Sequence, residues 1–252
     1  MISREFLIES FCECFEFKTN ELQNEFNIRM RRREYCAKKH YYYVGEFKWK
    51  KYIHLNDKNY KEDPNEYKSL ILNDDIVNLI DQLWFRTIII PTSRKYSGVY
   101  NYIENKLSTY SDESYLDFGG GFGLEPLQVH KNFETVYLAE IDKSGIRFAK
   151  FLAEKLSIDN FKVIFSDKPK FLKRKHFDVI SAIYSLECFT YEDAKKMLVY
   201  MLKHCDEFFG YWTMEETNRL RLGIESANKA KMKHERILFL PRVYSLDHII
   251  NK

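Results

Sequence analysis

The chain has 252 residues, a formal net charge of +3, 45% hydrophobic and 16% aromatic content. That length makes one large domain or a domain with a cap, and that composition supports a packed core. So even a charge balance makes no demand for a nucleic-acid partner, and no apolar run is long enough to span a bilayer.

Met1–Glu5 opens no secretory leader, for want of an uninterrupted apolar stretch. Five scattered cysteines (Cys12, Cys14, Cys36, Cys188, Cys205) suit a reducing cytoplasm, where the protein is expected. Cys12-Glu13-Cys14 is C-x-C with no second pair, so no metal site is expected.

From the start of the chain, Phe6, Leu7, Phe11, Cys14 and Phe15 form a helical stripe within Ser3–Phe17. Leu22–Ala37 reads as a second helix that carries the basic run Arg29–Arg33. Tyr41–Val44 and Phe47–Trp49 suit short strands or an aromatic loop, and Asp57–Pro64 a surface connector. Asp74 or Asp75 can cap a helix with Ile76, Val77, Leu79, Ile80, Leu83 and Trp84 on one face, ended by Ile88-Ile89-Ile90-Pro91. Tyr96–Leu107 reads as one more helix.

Ile28–His54 holds nine Lys and Arg against two Glu, interleaved with six Tyr and Trp. Such a segment suits phosphates and stacked bases. It equally suits a small phosphorylated or nucleotide-linked molecule, or a solvated basic face with its aromatics turned inward.

Tyr115-Leu116-Asp117-Phe118-Gly119-Gly120-Gly121-Phe122-Gly123 is the most informative stretch. An apolar strand ends in an acid, a glycine loop follows, then a helix start. Glycines let backbone turn sharply and approach a ligand, since no Cβ intrudes. The helix start is expected to offer unpaired N–H groups and a positive dipole end. A dinucleotide fingerprint needs G-x-G-x-x-G. Counted from Gly119 its third glycine falls on Leu124; counted from Gly120 its second falls on Phe122. No Gly-Lys-Ser/Thr follows, which excludes a Walker loop.

The acid followed by G-x-G-x-G resembles motif I of the class I S-adenosylmethionine-dependent methyltransferases. The resemblance covers roughly Ser97–Thr213. It implies a Rossmann-like, doubly wound, mostly parallel α/β sheet over residues 96–252, bearing a mainly helical N-terminal cap over residues 1–95. It also implies S-adenosylmethionine as cofactor, S-adenosylhomocysteine as product, and cofactor contacts at Asp117, Gly119, Gly121 and Gly123, with Asp117 meeting the methionine ammonium.

Thr135–Glu140 is a β-branched and aromatic strand ending in an acid. In doubly wound folds an acid here holds the ribose hydroxyls; Glu140 and Asp142 both qualify. The family places an alanine nine residues beyond that acid, and Ala149 stands nine beyond Glu140, which favours Glu140. Asp142 then reads as a solvated residue near the N-cap of a helix Lys143–Leu156, and Ile141 lies against an adenine face. Phe161–Phe165 is a third strand; Asp167 beyond it matches the family's adenine-amino acceptor or is a turn former before Lys168-Pro169.

Phe177–Ile183 resembles the family's fourth strand, and Ile183 joins the cofactor set. Cys188 stands where many small-molecule members carry a histidine, which removes one candidate base. Tyr184, Glu187 and Tyr191 are the remaining catalytic candidates. Helix Tyr191–His204 and strand Asp206–Trp212 follow. Met214–Lys233 reads as a helix, Arg236–Leu240 as a strand, and Tyr244–Ile250 as at most a short last strand. The sheet edge is therefore expected to be abbreviated, or completed by a partner such as a second copy. No Pro-Pro tetrapeptide of the base-amino methylases and no Pro-Cys nucleophile occurs. The expectation is a small-molecule substrate, phosphorylated, nucleotide-linked or a carbohydrate, with RNA and a non-catalytic binding role as alternatives.

Overall fold

The computed structural model describes residues 2–38, 41–43, 49–51, 76–89, 94–111, 113–165, 175–183, 185–186, 189, 191–213, 232–239 and 244–251. Helix α1 (Arg4–Phe15) starts where the Ser3 hydroxyl accepts from the Phe6 N–H, a side-chain N-cap. It stops at Glu16, in a left-handed conformation. Helix α2 (Thr19–Lys38) follows, then a small antiparallel hairpin of β1 (Tyr41–Tyr43) and β2 (Trp49–Lys51). Helix α3 (Ile76–Trp84) runs on into a π-helical turn, Phe85–Ile89, and α4 (Arg94–Leu107) precedes the main sheet.

That sheet has seven strands: β3 (Glu113–Phe118), β4 (Phe133–Glu140), β5 (Phe161–Phe165), β6 (Phe177–Ile183), β7 (Cys205–Thr213), β8 (Met232–Phe239) and β9 (Tyr244–Asn251). Their order is β5-β4-β3-β6-β7-β9-β8. The first five are parallel, with Leu116 opposite Tyr137 on one side and Ile180 on the other. Strand β9 inserts antiparallel between β7 and β8. Helices α5 (Leu124–Val129), α6 (Lys143–Lys155) and α7 (Tyr191–Leu202) cross between strands.

The two-residue alternation of strands assigns the layers. Leu116, Phe118, Ile180, Ala182 and Phe208 pack with Ala194, Met197, Leu198 and Met201 of α7. Tyr115, Val179, Ile183 and Phe209 point the other way, onto Ile103 and Leu107 of α4. A third cluster joins Leu7 and Phe11 of α1, Leu22 and Phe26 of α2 and Leu79 and Leu83 of α3 to Phe122, Phe148 and Leu152. Fully burying side chains of this size stabilises by ~1.5–3 kcal/mol each, so α1–α3 are tied firmly to α5 and α6.

One expectation is overturned. The sheet edge is neither abbreviated nor in need of a partner: β9 pairs seven residues with β7 and eight with β8. The hairpin uses only residues 240–243 between its strands, so the short tail suffices. Strand β8 begins at Met232, four residues ahead of the expected Arg236, because Met232 and Lys233 read as the end of a helix. Residues 214–231, where the helix was expected, lie outside the described set.

Candidate functional site

The site forms where β3 ends. Gly119 and Gly121 both have positive φ (69° and 62°), a region that L side chains rarely adopt. Three elements close in on the loop. A Cβ at Gly119 would overlap the Ser185 side chain from the β6–α7 connection. One at Gly120 would overlap the Asp117 carboxylate below it, and one at Gly121 would overlap the Gln82 amide of α3. Any side chain at these three positions would fill a cradle with polar walls.

The loop's N–H groups are largely engaged within the protein. Gly119 donates to the Ala139 carbonyl (2.8 Å), Gly121 to Glu140 Oε2 (2.7 Å) and Gly123 to the Gly120 carbonyl (3.0 Å). Helix α5 is only six residues long, with Glu125 in its first turn. Three of the loop's N–H groups are therefore turned into the protein. A pyrophosphate here would find the N–H groups of Gly119, Gly121 and Gly123 already taken.

It would also meet carboxylates. Asp117 is 1% exposed. Its Oδ1 accepts from the Ser181 hydroxyl (2.6 Å), and its Oδ2 has no hydrogen-bond partner among the described residues. Burial, then the neighbouring Glu125 charge, push its pKa up to about 7; the Ser181 hydrogen bond and Arg86 pull the other way. Glu140, 8% exposed, accepts from the N–H groups of Gly121, Ile141 (2.6 Å) and Asp142 (3.1 Å). Burial outweighs those three bonds and lifts it to about 7 as well. A cationic neighbour would favour the ionised form of both groups.

Glu125 is held differently. Arg86, from the π-helical turn, forms a two-pronged ion pair with it (Nη2 to Oε2, 2.9 Å) and lies 4.3 Å from the centre of the Tyr100 ring. Burial by itself would lower the Arg86 pKa, but Glu125 beside it more than reverses that. The pair cancels one of the three acids under the loop.

The remaining sequence candidates fall as follows. Ile141 follows Glu140 and is half-buried. Ile183 is 8% exposed and packs in the core with Tyr115 and Phe209. Asp142 does cap α6, its Oδ1 accepting from Ser144 (2.9 Å) and Gly145 (3.2 Å). It is not solvated as expected: at 1% exposure it is enclosed by the turn that it caps. Asp167, Tyr184 and Glu187 lie outside the described residues, and of Tyr191 only its backbone place at the start of α7 is described. Gln82, Arg86, Glu125, Ser181 and Ser185 were not singled out by sequence. Only Glu125 lies beside the glycine motif; the others reach it through the fold.

No family model matches the sequence, and no curated protein matches it in sequence. Solved structures do match. The magnesium protoporphyrin IX methyltransferase from Synechocystis aligns with TM-score 0.57 at 11% identity, over 77% of this chain and 100% of its own. The class I methyltransferase fold is what this chain adopts. The N-methyltransferase NodS from Bradyrhizobium japonicum shares that fold at TM-score 0.54 and 12% identity, over 74% and 97% of the two chains. An rRNA methylase from Streptococcus thermophilus does so at 0.51 and 9%, over 64% and 98%. The antiparallel β9 between β7 and β8 completes the seven strands of this methyltransferase fold.

Proposed function

We propose that the protein is an S-adenosylmethionine-dependent methyltransferase acting on a small molecule. One observation carries the cofactor reading: the glycine loop is backed by buried carboxylates, with the N–H groups of Gly119, Gly121 and Gly123 engaged. Low-dielectric surroundings make an unpaired charge costly and a matched one favourable. That chemistry suits a ligand with a cationic end and a ribose, and disfavours a nucleotide phosphate.

Asp117 would hold the methionine ammonium and Glu140 the ribose hydroxyls. Ile141 and Asp167 are assigned to the adenine side, and Ile183 to the cofactor set at the end of β6. Gln82 and Ser185 wall the loop where it has no side chains. The cofactor, when bound, supplies a methyl group on a sulfonium. The chain's part is to hold the acceptor in line with that methyl, largely a proximity effect. Tyr184, Glu187 and Tyr191, beyond β6, are the candidates to orient the acceptor or take its proton. A positioned base contributes ~10²–10⁴-fold where the acceptor is a hydroxyl.

The small-molecule reading rests on the near-neutral charge and on the basic, aromatic Ile28–His54, which suits an anionic substrate. RNA is the second reading, favoured by the fold shared with the rRNA methylase. Calorimetry with S-adenosylmethionine and S-adenosylhomocysteine tests the cofactor. Micromolar dissociation constants are expected, roughly −7 to −8 kcal/mol. No heat at millimolar ligand would sink the proposal.

A further inference from the structure

Asp117 is wired into the sheet. The Tyr115 hydroxyl lies 2.7 Å from Ser181 Oγ, and Ser181 Oγ lies 2.6 Å from Asp117 Oδ1. Tyr115 and Asp117 stand two residues apart on β3, so both side chains leave the same face of the sheet. Ser181 is the register partner of Asp117 on β6. All three are fully or almost fully buried. With the Ser181 proton directed at the carboxylate, Tyr115 donates to Ser181, and the three form one directed relay ending on Asp117. The outer oxygen, Oδ2, is left without a partner beside Gly120.

We propose that Ser181 and Tyr115 are positioning residues that favour the charged form of Asp117, and that cofactor binding is gated by the protonation of Asp117. The inference rests on the cofactor reading above and adds a regulation to it. A hydrogen bond given to a carboxylate favours the ionised state. Charged groups from three further elements face Asp117. Glu125 from α5 and Glu140 from β4 oppose its ionisation, while Arg86 from the π-helical turn supports it. Burial and Glu125 outweigh Arg86, so the relay and the ligand work against a net push toward the neutral acid. Tyr115 stays protonated, because burial and then the Asp117 charge push its pKa well up. It acts only as a donor.

The test is the affinity of S-adenosylhomocysteine from pH 5.5 to 8.5, with 5′-methylthioadenosine as a comparison ligand. The first carries the ammonium; the second has the nucleoside but no amino-acid end. For the wild type, S-adenosylhomocysteine affinity is expected to fall below an inflection near neutrality by up to about a hundredfold per pH unit, tenfold for each of Asp117 and Glu140, and methylthioadenosine affinity by about tenfold for Glu140 alone. Ser181→Ala removes the donor and should move that inflection up by about one pH unit, with affinities converging at the alkaline end. The methylthioadenosine profile, which reports Glu140 rather than Asp117, should not move. Tyr115→Phe keeps the ring in the core and should shift the inflection the same way by less; it decides the matter if Ser181→Ala does not fold.

A flat wild-type profile, an inflection unmoved in the variants, or equal movement for both ligands would overturn the relay while leaving the cofactor assignment intact. No binding of either ligand at any pH would overturn the cofactor assignment, and the relay with it.

Discussion

Asp117 and Glu140 are acids kept in places where charge is disfavoured, and that leaves a mark on stability. Unfolded, such groups titrate near ~3.9 and ~4.3; folded, both sit up near about 7. Below the unfolded values both states hold the proton and the fold suffers no penalty. Between those values and about 7 the unfolded chain gives up protons that the folded one keeps, so stability declines as pH rises. The apo protein is therefore expected to lose thermal stability from pH 5 to 7.5, and Asp117→Asn to flatten part of that decline. The measurement is the difference in Tm between wild type and variant at each pH; a gap that does not change with pH would show Asp117 to be ionised throughout. The sequence made these two acids legible because strand ends and glycines lie close together along the chain. It mistook the setting of Asp142, since a cap residue reads alike whether water or a packed turn surrounds it.

At the level of elements, the partners of the glycine loop come from far along the chain. Gln82 and Arg86 stand on α3 and its π-helical turn, and Ser185 beyond β6. In the sequence the helix was legible from its apolar stripe, but nothing in a stripe tells which exposed-looking polar residue will meet a loop 39 positions away, as Arg86 meets Glu125. Both strands of the C-terminal hairpin were legible, but not their full length, for another reason. Strand β9 alternates poorly, and its stability comes from two neighbours at once. That makes it a keystone: ending the chain at Arg242 removes both ladders and leaves β8 with no strand to pair. The loss is comparable with the ~5–15 kcal/mol that holds a whole domain together. The truncated protein is expected to show no cooperative unfolding transition, or to self-associate through the bared β7 edge. A monomer with an unchanged Tm would show the hairpin to be dispensable.

At the scale of the whole molecule, charge separates the two acceptor readings. Forty Lys and Arg offset 37 Asp and Glu, so no general positive field draws a polyanion in. The local excess lies in Ile28–His54, whose side chains from Arg31 on lie outside the described residues. A surface that tracks RNA releases counterions with every phosphate it neutralises, and log affinity then falls by ~0.7 per phosphate on a single strand as log salt rises. A small substrate with one or two phosphates gives a slope of about one. Mixed RNA is accordingly expected to bind weakly at physiological salt. Replacing Arg31, Arg32 and Arg33 by Gln should leave S-adenosylhomocysteine affinity nearly unchanged, because the cofactor site proposed here is built from Asp117, Glu140 and the glycine loop. Submicromolar RNA binding with a slope of about four or more would mean several phosphates held at once. That result would move the acceptor from a small molecule to RNA without disturbing the cofactor site.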